Sequence, residues 1–141
     1  MMAHNVNLSN EYITAQASSG GALANGGFLR FYDGVQPATA DTPIVTQKML
    51  AELRINNPAG NTMAGEFIFG DIAPEKSAPA GGKATWYRVV KADGKSAIRD
   101  GSIGKTGSDS DIELDNINII VGAEIYIDDL KWKIPKGTKD K

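Results

Sequence analysis

Ala84-Thr85-Trp86-Tyr87-Arg88-Val89-Val90-Lys91-Ala92-Asp93-Gly94-Lys95-Ser96-Ala97-Ile98-Arg99-Asp100-Gly101-Ser102-Ile103 is the stretch whose reading decides the fold. Two runs suited to a pleated strand flank Asp93-Gly94, and an Asp-Gly pair tolerates the positive φ that a tight hairpin turn requires. Trp86, Arg88 and Val90 fall on one face of the first strand and Thr85, Tyr87 and Val89 on the other. Both faces carry apolar bulk, which predicts a strand covered on both sides. A lone hairpin is marginal in water, so the rest of the chain must add strands and a facing layer.

Outward from this hairpin the same grammar repeats. Phe28-Leu29-Arg30-Phe31-Tyr32 reads as a core strand closed by Asp33-Gly34 and the turn-prone Gln36-Pro37. In Met49-Leu50-Ala51-Glu52-Leu53-Arg54-Ile55, Ala51, Leu53 and Ile55 alternate with Glu52 and Arg54; helix competes from Thr46 to Arg54, but strand is preferred for the second half, and Asn56-Asn57-Pro58 stops it. Glu66 to Ile72 is read as a further short strand, Pro74 to Gly82 as a loop, and Ile112 to Asp115 as another strand. Ile117 to Val121 and Glu124 to Asp128 are expected to form a final hairpin around Gly122-Ala123. Leu130-Lys131-Trp132-Lys133-Ile134 alternates before Pro135.

The reading is an all-β fold, a β-sandwich or jelly-roll-like barrel of about seven to eight short strands. Residues 1–27 form an N-terminal arm and glycine-rich connector, 28–135 the β domain and 136–141 a flexible C-terminal tail. The arm has room for one short helix from Leu8 to Ala17 with Ser9 as N-cap, and Ser18 to Gly27 reads as the connector. The arm has too little apolar area to fold alone and is expected to dock on a neighbouring subunit. His4, Asn5, Asn7, Tyr12 and Ile13 are its candidate interface residues. Gly34, Pro37, Trp86, Asp93, Gly94, Gly101, Gly122 and Trp132 are the expected turn and core positions.

At 141 residues the chain suits one domain that buries roughly two-thirds of its unfolded surface. With no cysteine, it has neither disulfides nor thiolate metal sites. Fifteen basic and seventeen acidic residues give a net charge of -2 without a long run of one sign. That balance predicts contact with neither nucleic acid nor a membrane surface. The apolar runs are too short for a membrane span, and the start of the chain lacks the pattern of a secretory signal.

Motifs that suggest chemistry fail on spacing. Gly101-Ser102-Ile103-Gly104-Lys105-Thr106 ends like a phosphate-binding loop, but the glycine required five positions before Gly104 is Arg99. Asp109, Asp111, Glu113 and Asp115 alternate like oxygen ligands for calcium. Counted from Asp109, however, the sixth and twelfth positions of an EF-hand loop hold Leu114 and Ile120, so solvated edge acids are the better reading. His4 is the single histidine, which leaves no histidine-based dyad or triad within one chain. Trp86, Tyr87, Trp132, Phe28 and Phe31 are read as core rather than as stacking platforms. The chain is therefore expected to be no enzyme and to need no cofactor.

Gly26-Gly27-Phe28-Leu29-Arg30-Phe31-Tyr32-Asp33-Gly34-Val35-Gln36-Pro37-Ala38-Thr39-Ala40-Asp41-Thr42 resembles a segment of small tailed-bacteriophage virion proteins. The similarity continues through Leu50-Ala51-Glu52-Leu53, Ala84-Thr85-Trp86-Tyr87-Arg88 and Asp100-Gly101-Ser102-Ile103-Gly104 to Val121-Gly122-Ala123. It spans about Gly26 to Pro135; the Asn-rich start and the Pro74–Gly82 loop depart from it. The resemblance implies a non-enzymatic structural protein of the virion, made in the bacterial host cytoplasm. It points first to a capsid decoration (cement) protein on the outside of the head shell. Its implied partner is the major capsid protein or another virion protein, and a homo-oligomer, trimer favoured, is expected. A collar, neck or tail component is the alternative, and a carbohydrate-binding β-sandwich module is the alternative of another class.

Overall fold

A computed structural model describes residues 9–63, 66–127 and 130–133, with the side chains of 10–14 and 131–133 outside that description. The fold is all-β with one short helix, and its main sheet curls into a half-barrel. Helix α1 (Asn10–Ala22) precedes β1 (Phe28–Tyr32), β2 (Met49–Ile55), β3 (Gly60–Met63), β4 (Glu66–Phe69) and β5 (Ile72–Ala73). β6 (Gly82–Lys83), β7 (Trp86–Val90), β8 (Ala97–Lys105), β9 (Ile112–Leu114), β10 (Asn118–Ile119) and β11 (Lys131–Lys133) follow.

β1 and β7 sit at the centre of a six-stranded sheet ordered β5-β2-β1-β7-β8-β9. Every pair in it is antiparallel except β8–β9. The hairpin expected from Trp86 to Ile103 is β7–β8, and all five residues of β7 are buried, as apolar bulk on both faces predicts. β3, β4 and β11 form a second sheet, and β6 pairs with β10. Leu29, Phe31 and Leu53 from the main sheet share one core with Phe67 and Phe69 of β4, Leu130 and Ala17 of the helix.

Three sequence expectations change. The helix does not stop at Ala17 but continues through Ser18, Ser19, Gly20 and Gly21 to Ala22, so the first half of the glycine-rich stretch is helical rather than a flexible connector. Gly21 packs so closely on Phe67 that a Cβ there would lie 2.1 Å from its ring; the absent side chain is what lets the helix dock on β4. Second, Glu66 to Ile72 divides into β4 and β5, which belong to different sheets.

The final hairpin, third, does not form. Ala123 N–H bonds to Ile120 C=O at 3.0 Å with Gly122 at φ 86°, placing positive φ at the third turn position as in a type II turn. The twist of such a turn splays the flanking strands instead of pairing them. Both arms pair with the Pro74–Gly82 stretch expected to be a loop. Glu75 and Ile125 exchange two backbone bonds of 2.8 Å, Ala78 bonds to Gly122 and Ala123, and β10 lies along β6. Two-residue strands such as β5, β6 and β10 raise the number from the expected seven or eight to eleven among the described residues.

Candidate functional site

The expected turn and core residues occupy structural positions. Trp86 is fully buried, stacks on Tyr32 at 4.7 Å and donates its Nε1–H to Asp33 C=O at 2.9 Å. Gly34 has φ 77° and its C=O accepts from the Thr85 hydroxyl at 2.6 Å, while Pro37 is half-buried in the β1–β2 loop. Gly94 sits at φ 73° in the β7–β8 turn. Gly101 lies opposite Tyr87, and a Cβ there would come within 2.4 Å of the tyrosine ring. The Trp132 backbone pairs with Phe67; its side chain lies outside the description. So do those of Tyr12 and Ile13 in α1, and His4, Asn5 and Asn7 precede the described residues.

Between β7 and β8, the cross-strand neighbours Arg88 and Asp100 form an ion pair of 2.7 and 2.9 Å with both side chains almost wholly buried. The Arg88 guanidinium also lies 5.4 Å from the Trp86 ring centroid. Its hydrogen bond to Asp100 raises its pKa, against the opposing effect of burial. Paired on one side and covered on the other, it acts as a clamp within the sheet.

The residues resembling a phosphate loop are the end of β8, followed by a turn at Thr106-Gly107 and not by a helix. The acids beyond them fasten that turn. Glu113 accepts from Gly107 N–H at 3.0 Å and Asp109 N–H at 2.8 Å, and Asp115 accepts from the Thr106 hydroxyl at 2.9 Å. These bonds hold β9 parallel to β8 after an unusually short connection. Among the described residues no three His, Cys, Asp or Glu side chains cluster as metal ligands.

What the structure adds is a cleft of about 360 Å³ formed after β9 and around the splayed Ile120–Ala123 turn. Leu114, Ile119 and Ile125 contribute its apolar lining; Asp115, Asn118 and Glu124 contribute polar groups. Ile120 and Tyr126 line it while staying 69% and 64% exposed, and the adjacent Val121 is 65% exposed. Single exposed apolar residues are ordinary, whereas three beside one cleft form a local apolar patch. Sequence reading missed this site because it assigned these residues to paired strands; the unbroken apolar run Ile119-Ile120-Val121 was the available signal. Tyr126 is the single largely exposed aromatic among the described side chains, whereas Trp86, Tyr87 and Phe31 are buried. Phe28 is half-buried, with the Arg54 and Arg30 guanidinium carbons 4.9 and 5.6 Å from its ring centroid.

No family model, curated protein or solved structure matches the chain.

Proposed function

We propose that this protein is a non-enzymatic structural component of a tailed-phage particle, a decoration protein that binds the outside of the head shell as a small symmetric oligomer. The observation that carries the assembly role is the cleft flanked by exposed Ile120, Val121 and Tyr126, a surface suited to the apolar groups of another subunit of the oligomer. The phage assignment rests on the resemblance from Gly26 to Pro135. Its motif residues are here the central strand β1, the Asp33–Gly34 turn, Trp86 and Gly101, so the similarity concerns how the scaffold is built. A scaffold repeated by symmetry needs only modest contacts per copy, because linked sites multiply their individual affinities.

The test mixes purified protein with expanded head shells lacking it, then measures occupancy by cryo-electron microscopy and the temperature at which the shells rupture. Saturable density at capsomer junctions and a raised rupture temperature are expected, because a ligand of the assembled state stabilises that state by mass action. Density at the neck or tail instead would move the protein within the particle. Absence from every part of the particle would overturn the phage reading.

A further inference from the structure

The net charge of -2 conceals a segregation. Between Thr106 and Leu130 the sequence carries seven acidic residues and no basic one; from Lys131 to Lys141 it carries five lysines and one aspartate. The cleft lies within the acidic stretch, with Asp115 and Glu124 in its lining beside Ile119, Ile120 and Tyr126. Asp115 is partly engaged by Thr106, whereas no bond to the Glu124 side chain is among those found in the described residues. Beyond β11 the chain reads Ile134-Pro135-Lys136-Gly137-Thr138-Lys139-Asp140-Lys141, an apolar pair followed by spaced lysines. This is the chemistry an apolar cleft with an acidic lining selects.

We infer that the cleft is a self-association site in which the Ile134–Lys141 segment of a second copy docks, Ile134 and Pro135 against the apolar lining and the lysines toward Glu124 and Asp115. This deepens the reading of the chain as an oligomer and rests on it for the second copy. Burial of the apolar pair supplies affinity, and the opposite charges set register and encounter rate. The contact is heterologous, since a cleft on one copy meets a tail on the next. Repetition through a closing rotation therefore gives a ring, consistent with a trimer. The charged part of the contact weakens with salt, because exposed pairs are screened over about 10 Å at 0.1 M ionic strength.

The test is sedimentation equilibrium of the full chain and of three variants: Glu124→Lys, Tyr126→Ser, and Lys136→Glu combined with Lys139→Glu. Circular dichroism checks that each remains folded. Each variant alone is expected to weaken association by roughly tenfold or more, and combining Glu124→Lys with the double tail substitution in one chain should restore it by charge exchange, since every cleft then meets a tail of opposite sign in a ring of any order. Zero-length carboxylate-to-lysine cross-linking of mixed light and heavy isotope-labelled chains should join Glu124 of one copy to a tail lysine of the other. A monomer at all concentrations overturns both this site and the oligomer. An oligomer indifferent to all three variants overturns the site alone. Cross-links confined within single chains overturn the second copy as occupant.

Discussion

Asp93 is fully exposed, yet its carboxylate accepts three hydrogen bonds: 2.6 Å from the Ser96 hydroxyl, 2.9 Å from Ser96 N–H and 2.8 Å from Lys95 N–H. The hydroxyl bond, followed by the two backbone bonds, lowers its pKa to about 2. A carboxylate with a depressed pKa stabilises the fold fully above its unfolded pKa, roughly 3.9, and loses that contribution as pH falls through the folded value. Asp93→Ala should therefore lower the melting temperature at pH near 6, and the gap from the native chain should close between roughly pH 4 and 2. A gap that stays constant down to pH 2 would show that the carboxylate does not fasten this turn. The Asp93–Gly94 turn was legible in sequence because its determinants are local, an acceptor side chain and a residue that tolerates φ 73° within a few positions.

At the level of elements, adjacent glycines in α1 give opposite expectations. A Cβ on Gly20 meets nothing within 4 Å, whereas one on Gly21 would strike the Phe67 ring at 2.1 Å. Gly20→Ala should stabilise by up to about 1 kcal/mol through helix propensity. Gly21→Ala gains the same propensity but must displace a ring in the core, at a cost of about 1–3 kcal/mol, and should be destabilising on balance. Urea denaturation of the pair checks the docking directly: equal shifts would mean that α1 does not rest on β4. Between β7 and β8, Asp100→Ala leaves the Arg88 guanidinium buried without its partner and should cost about 3–5 kcal/mol. The double variant Arg88→Met/Asp100→Leu removes both charges and should recover most of that loss. If the double variant were as unstable as the single, packing rather than charge would account for the effect. Element pairing was less legible than element existence. Ile117 to Asp128 has the alternation of two strands, but alternation does not say which backbone each will meet, and a turn with positive φ only at Gly122 sends both toward the Pro74–Gly82 stretch.

Across the whole molecule, the strands of the main sheet are joined over long stretches of chain. β1 pairs with β7 in register Phe28↔Val90 to Tyr32↔Trp86, and the intervening chain makes both β2 and the β3–β4 hairpin. The early helix α1 and the late strand β11 both pack on β4, so segments far apart in sequence meet on a hairpin from the middle. This also explains why the glycine-rich stretch before β1 was misread. Its own composition suggests a linker, and only the distant Phe67 ring makes glycine at position 21 a packing requirement. The cleft was hidden for a related reason, since it exists because two strand-like segments separate. Main and small sheets contribute Leu29, Phe31 and Phe67 to one core cluster that also holds Leu130, so opening either sheet exposes apolar groups of the other. They should therefore unfold as one cooperative unit. Native-state hydrogen exchange in low denaturant tests this at Phe69 N–H, bonded to Leu130, and at Ile55 and Ile103 N–H, bonded to Gly27 and Thr85 in the main sheet. All three amides are expected to converge on the global unfolding free energy. If Phe69 exchanged through a much smaller opening while Ile55 and Ile103 stayed protected, the helix and small sheet would be a separate layer resting on an independently stable half-barrel. Removing residues 1–24 distinguishes the same alternatives, because it deletes Ala17 and Ala24 from the core and uncovers Phe67. A cooperative unit loses global stability on that truncation; a separate layer leaves exchange at Ile55 and Ile103 unchanged.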